Sequence, residues 1–449
     1  MRRWYWLAAQ LMTLLLVGIV QPGRAATAAE PVTIKYVYWG SPQEKLAIEK
    51  ACGEFSKKTG INVVPVYVPE QDYQTKLTAM AAAGDTPDAG YCTNQLASIW
   101  QGQGKFVNWF EMLAKDPDIK KSDYVDGIWF QNSPENAYGI STAVEAFGLF
   151  YNKAAFKKAG LPEPPTTFDK AWTWDEFVKV AQKLTIDRNG KNATEAGFDP
   201  NAIKQFGVTF EKWWGPVLVH VLNNGGDLLT ADGKGFGLTD PAATRAIQRL
   251  ADLINKYHVA PNPIQFKAIP SQAAAIQAGL AAMSMHGQWI NLDLGAAKAN
   301  YGIGVLPKMD KNSGTVLISG VSVIFKDSKH PAEAWALSKY LASDGALPLY
   351  QDGLWMPTMK KFYTDPALLA KWAGPDAAHP AGFKDSMMDM VLHHSRPCVN
   401  YYVKNFGKID SMVEAALDPV WQGQKTAEQA MKELDPQIAP EIQGRYELK

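Results

Sequence analysis

Hydrophobic positions recur along this chain with two alternating periods. Val32 to Trp39 is a β-prone run that stops at Gly40-Ser41-Pro42. From Gln43 to Lys58 apolar side chains recur at Leu46, Ile48, Ala51, Cys52 and Phe55, which predicts an amphipathic helix stopped by Gly60. Ile61 to Val68 predicts a second strand, Tyr73 to Ala83 a helix closed by Gly84, Asp88 to Cys92 a short strand, and Gln95 to Trp100 another helical run. Strands alternating with helices imply a parallel sheet covered on its faces, and ligands of such sheets meet the carboxyl ends of the strands. That rule points at Trp39, at the turn from Tyr91 to Gln95, and at the residues leading into Tyr73.

The stretch 140–153 carries another apolar β-prone run, Phe147, Leu149, Phe150 and Tyr151, with a single carboxylate, Glu145, at its start. By its residue type Glu145 is a solvated edge residue; turned inward it needs hydrogen-bond partners and becomes a ligand contact. Further helices are predicted at 153–159, 175–184 after the cap Thr173, 211–222, 240–257 and 272–278, with strands at 281–285, 301–305 and 316–325, the last interrupted at Ser319-Gly320. The remainder reads as helical, at 331–342, 345–351, 408–417 and 426 to about 446, and no internal repeat is present.

At 449 residues and 47% hydrophobic, the chain can bury a core large enough for two or three domains. Lysines and arginines balance aspartates and glutamates without a clustered basic face, which excludes nucleic acid as a partner. Residues 1–28 read as an export signal: Arg2 and Arg3, an apolar run within Trp4 to Val20, then Ala26-Thr27-Ala28 as a small-residue cleavage site. No cysteine lies at that cleavage region to carry a lipid, so a soluble, periplasmic mature chain is expected. Cys52, Cys92 and Cys398 read as buried thiols, since a core of this size needs no disulfide.

Several segments share their order with one family. GISTAVEAFGLFYNKAAF (139–156) and MSMHGQWI (283–290) are the most specific, supported by LNNGGDL (222–228), ISGVSVIF (318–325), KHPAEAWALSKYL (329–341) and WQGQKTAEQAM (421–431). Over nearly the whole mature length the chain resembles the extracellular solute-binding proteins of ABC importers, in the branch that includes the maltose-binding protein. The resemblance implies the two-lobe periplasmic binding protein fold of class II type: two doubly wound α/β lobes joined by a multi-crossing hinge, with the ligand in a cleft between them. Lobe 1 would comprise residues 29–143 and 322–358, and lobe 2 residues 144–321 and 359–449. A carbohydrate ligand, ABC permease subunits as partners, a monomeric state and no cofactor follow as expectations.

A hydroxyl-rich solute needs flat apolar faces and a few polar groups that replace water. By resemblance Trp289 matches the sugar-stacking tryptophan of the family's Gly-x-Trp turn, with Gln288 beside it. Glu145 matches the glutamate of the Ala-Val-Glu-Ala segment that contacts sugar hydroxyls. Trp213 and Trp214 fall at ligand-contacting positions; adjacent helical side chains diverge by about 100°, so one of the two faces the cleft. Trp39 and Trp355, Asn94 and Gln95 after the third strand, Tyr73, Ser319 and Gly320 complete the set. Arg396 would suit an anionic ligand such as glycerol 3-phosphate or a glycerophosphodiester, yet the position aligned with the phosphate-binding arginine of that branch is Tyr402. A glycoside hydrolase is the reading from another class. It needs two carboxylates about 5–10 Å apart, and Glu145 has no partner of comparable support. His286, His393 and His394 show no metal-ligand spacing.

Overall fold

The computed structural model describes residues 31–448; the export signal expected over residues 1–28 lies outside them. Among the described residues the strands run β1 (Thr33–Tyr38), β2 (Asn62–Tyr67), β3 (Ala89–Cys92), β4 (Trp129–Ser133), β5 (Asn136–Ser141), β6 (Phe147–Asn152) and β7 (Ile186–Asp187). They continue as β8 (Ile203–Gln205), β9 (Thr209–Phe210), β10 (Met283–Gly287), β11 (Tyr301–Gly304), β12 (Thr315–Leu317), β13 (Val321–Ile324) and β14 (Ser395–Pro397). Six form one sheet in the order β2-β1-β3-β13-β5-β4, and four form a second in the order β11-β6-β10-β9. Each sheet is the centre of one α/β lobe.

Local sequence explains the elements that frame the cleft. The helix Pro42–Thr59 starts where Ser41 accepts the Glu44 amide and Pro42 occupies the first turn, and it ends at Gly60 with φ 77°. Its stripe Ala47, Ile48, Ala51, Cys52 and Phe55 is buried against the first sheet. Phe147 to Tyr151 of β6 is buried without alternation, as expected of a strand covered on both faces. All three cysteines are free and buried.

Strand directions bring chosen ends together. β1 runs parallel to β2 and β3, while β13 runs antiparallel to β3 and β5, so Val321 at its start meets both Cys92 and Ser141. In the second sheet β9 and β10 are parallel and β6 is antiparallel to β10, pairing Phe147 with Gly287. The carboxyl ends of β1, β3 and β5 thus gather on one side, and those of β9 and β10 gather beside the start of β6.

Two stretches are divided between elements, the second at the interruption expected at Ser319-Gly320. Residues 140–153 hold the end of β5, a crossing, and β6. The run 316–325 holds β12, which pairs with β14, and β13, which belongs to the first sheet. The two breaks lie side by side: Thr142 N donates to Gly320 O (3.0 Å), Ile318 N to Glu145 O (3.0 Å), Ala143 N to Ser319 Oγ (3.2 Å) and Val144 N to Met356 O (3.0 Å). Here the chain passes between sheets, and its backbone groups stay paired where neither ladder can serve them.

The tail also differs from its periodicity. The helix expected over 426–446 ends at Ile438, with a single turn at Ala439–Glu441; Pro440 follows directly, and the chain returns so that Lys404 N donates to Gly444 O (2.9 Å). The helix Phe406–Trp421 packs on both Pro241–Asn255 and Asn94–Gly102. Residues 361–372 stay with the helix Leu347–Gln351 through Tyr350, Phe362 and Trp372.

Candidate ligand-binding cleft

Three part-exposed tryptophans stand at the gathered strand ends, each laid over a glycine. Trp289 follows β10, and a Cβ on Gly287 would lie 1.9 Å from its ring; Trp213 follows β9, and a Cβ on Gly215 would lie 2.2 Å from its ring. Trp39 follows β1 and rests on Gly320, at 3.0 Å from a Cβ there. The missing side chain at each glycine leaves the room that the indole occupies. Trp213 and Trp289 face each other at 6.4 Å and 36°, both against Phe147. Trp39 is held edge-on by Tyr73 (4.6 Å) and Tyr91 (4.9 Å).

Acidic groups surround these platforms. Glu44, in the first turn of Pro42–Thr59, lies within 3.4 Å of the Tyr91 hydroxyl that donates to it. Burial and then the charge of Glu70 push its carboxyl up to about 8, against the opposing hydrogen bonds from the Ser41 amide and the Tyr91 hydroxyl, with Asp293 adding a smaller upward push. Glu145 is driven well above the carboxylate range by burial and then by Glu44, although the Ser319 hydroxyl opposes this. Glu70 is raised by burial and by Glu211, and Asp293 by burial against the opposing pull of Ser41 and His286. Glu211 behaves differently. Burial pushes it up, but the facing His286 (3.7 Å) and the hydrogen bond from Trp213 Nε1 (2.6 Å) outweigh that and hold it at about 2. Burial disfavours the His286 imidazolium, and Glu211 more than offsets it.

The profile described as bacterial extracellular solute-binding protein matches residues 39–347. The chain belongs to the bacterial extracellular solute-binding protein family. The galactooligosaccharide-binding protein of Bacillus subtilis is 23% identical over 424 residues, 92% of this chain and 90% of the relative. YcjN of Escherichia coli is 24% identical over 232 residues, so this chain spans about half the length of that relative, 49% of each. An ABC substrate-binding protein of Listeria monocytogenes, solved in complex with cycloalternan, superimposes with a TM-score of 0.77 at 20% identity, covering 91% of this chain and 98% of that one.

Within this solute-binding protein the residues expected from sequence fall into three groups. Trp39, Trp213, Trp289 and Glu145 come together around the strand ends and the crossing, where Gly320 underlies Trp39 and Ser319 approaches Glu145. Asn94, Gln95 and Gln288 tie parts of the chain together. Asn94 Nδ2 donates to Ser319 O (3.3 Å) while Asn94 Oδ1 accepts from Asn400 (2.9 Å), Gln95 Nε2 donates to Asp410 (2.9 Å), and Gln288 Nε2 donates to Leu354 O (2.9 Å).

The third group is placed elsewhere than expected. Tyr73 is fully buried, its hydroxyl donating to Tyr91 O at 2.8 Å, so it backs Trp39. Trp355 is buried behind Tyr91. Trp214 meets Trp213 edge-on (5.2 Å) and packs on Phe406, where with Asp410 and Leu417 it lines a small apolar pocket inside the second lobe, so it backs Trp213 and is not itself a platform. Arg396 is exposed on β14. Sequence reasoning missed Glu44, Glu70, Glu211 and Asp293, and set His286 aside as structural. A signal was available for Glu44, because Ser41-Pro42 marks a helix start immediately after a strand end and puts a first-turn residue at the crevice.

Proposed function

We propose that this protein captures a carbohydrate between its two lobes and delivers it to the transmembrane subunits of an ABC importer. It works in the periplasm as a monomer, with no catalytic step and no cofactor. The observation that carries this reading is the set of three part-exposed indoles on glycine beds around Glu145: flat apolar faces for sugar C–H surfaces, with an acceptor for hydroxyls. The galactooligosaccharide and cycloalternan attributed to relatives support the same class of solute. Closure about the paired crossings at 142–145 and 318–320 brings contacts from both sheets onto one ligand, the form of a hinge-closing binder. An anionic ligand is disfavoured by the acidic cleft and by the exposed place of Arg396.

A thermal-shift screen with mono- and oligosaccharides, polyols and glycerol phosphates tests the reading. A ligand at a hundred times its Kd adds about 2.7 kcal/mol to the folded state. Carbohydrates raising the melting temperature and being recovered intact support a sugar binder; a shift from glycerol phosphates alone, or hydrolysis of the oligosaccharide, overturns it.

A further inference from the structure

Two of the three indoles share one support. β9 and β10 run parallel, with Ser284 beside Thr209 and Met285 beside Phe210, so the next residues along each strand, His286 and Glu211, come together. His286 is 6% exposed, and its Nε2 faces Glu211 Oε2 at 3.7 Å. The same Oε2 accepts the Trp213 indole N–H at 2.6 Å. The imidazole also lies edge-on to Trp289, with 5.3 Å between ring centres. One histidine therefore touches one indole and reaches the other through a single carboxylate oxygen.

The protons on this histidine follow from its partners. Its Nδ1 lies 3.0 Å from Gly287 O, and a carbonyl oxygen only accepts, so Nδ1 carries a proton. Its Nε2 faces a carboxylate, which when ionised also only accepts. The imidazolium satisfies both contacts; the neutral ring turns a lone pair on a charged oxygen. Against burial, His286 and the Trp213 N–H keep Glu211 ionised, at about 2. Of the other charged groups packed here, Asp293 acts on His286, while Lys212 and Glu70 act on Glu211. Lys212 Nζ lies over the Phe266 ring at 4.1 Å.

We propose that His286 is a positioning residue for the indole pair: as an imidazolium it fixes Glu211, and through that carboxylate the Trp213 ring, beside the Trp289 ring that it touches itself. The inference rests on the carbohydrate reading above and makes sugar affinity depend on one proton. When the ring is neutral, Glu211 loses its partner. Its side chain is 31% exposed, so it turns to water and the Trp213 N–H loses a fixed acceptor. The pair at 6.4 Å and 36° is then no longer set before the ligand arrives, and binding bears the cost of ordering it. Burial disfavours the imidazolium but Glu211 outweighs it, so the charged ring persists above its ordinary 6.5. The support is complete below that pH and is lost as pH rises beyond it.

Calorimetric titration of the carbohydrate selected by the thermal screen, with the wild type and His286→Ala side by side from about pH 6 to about pH 9, tests this. Glu44 and Lys212, each at about 8, titrate in both proteins, so the ratio of the two affinities isolates His286. The wild type is expected to bind about fivefold more tightly at the acid end, with the ratio closing toward one at the alkaline end. In a Glu211→Gln background His286→Ala should change affinity by less than about twofold, because the charged link to Trp213 is already cut. Melting curves report that each variant folds. A ratio that stays constant with pH, or a full effect kept in the Glu211→Gln background, overturns the inference. The free protein gives a second reading. An imidazolium quenches a neighbouring indole, so tryptophan emission should rise as pH passes the His286 titration, and at a lower pH in Glu211→Gln. An emission step that Glu211→Gln does not move overturns the inference whether or not a sugar binds. If no carbohydrate binds while the step moves as expected, the carbohydrate reading falls and the place of His286 on the indoles stands.

Discussion

Trp289→Ala isolates the stacking role that the cleft geometry assigns. One side of the indole rests on Gly287 and meets Phe147 at 5.7 Å and His286 at 5.3 Å, and the residue remains part-exposed. An aromatic side chain buries roughly 150–250 Å² when fully covered. If a ligand covers about 80 Å² of the open side at about 25 cal/mol per Å², the loss on truncation is about 2 kcal/mol, or roughly 30-fold in Kd. Calorimetry with the carbohydrate selected by the thermal screen measures this directly. Trp372→Ala is the control: that ring is fully buried and packs on Tyr363 (5.8 Å) and Phe383 (6.1 Å), so its removal should lower stability by about 3–5 kcal/mol and leave the affinity of the folded fraction nearly native. A Trp289→Ala protein that melts normally and keeps its Kd within twofold would refute the reasoning.

Three further outcomes are expected. Gly287→Ala places a methyl 1.9 Å from the Trp289 ring, so the indole must leave its bed; binding should weaken by about tenfold with the fold retained, as read by titration and circular dichroism. Glu44 titrates at about 8 in the folded chain against 4.5 ordinarily, so the folded state binds more protons between those values and stability falls as pH rises through them. Glu44→Gln should therefore raise the melting temperature by an amount that grows from about pH 5 to pH 8, and parallel melting profiles would count against the assignment. Gln95→Ala removes the donor to Asp410, which is 3% exposed and has its other oxygen unpaired; urea unfolding should show a loss of about 2–3 kcal/mol, and no loss would mean that solvent reaches this carboxylate.

Most elements were legible from periodicity because each depends on residues close in sequence. The helix Pro42–Thr59 lies within one residue at each end of the expected Gln43–Lys58, and Lys153–Ala159 and Gln272–Ala278 agree with the expected limits. The helices Trp109–Lys115 and Ile290–Ala296 were not anticipated: they have the same seven residues as Lys153–Ala159 and Gln272–Ala278 but end at Asp116 and Ala297, without the glycine stop that Gly160 and Gly279 provide. In the cleft, strand ends pointed to Trp39 and the Gly-x-Trp turn to Trp289. Trp213 and Trp214 stayed indistinguishable until Phe406, nearly two hundred positions away in the chain, was seen to take the second.

By itself, then, the sequence determined the alternation of strands and helices, the aromatic character of the site and the presence of Glu145 beside a crossing. Only the tertiary structure decided which side chains share that site. Glu44, Glu145, Glu211 and Asp293 come from separate stretches of the chain, and their charges act through space once folding has excluded water between them. Local pattern carries helix and strand because those depend on near neighbours. An acidic cleft depends on distances that exist only after the two sheets have been assembled.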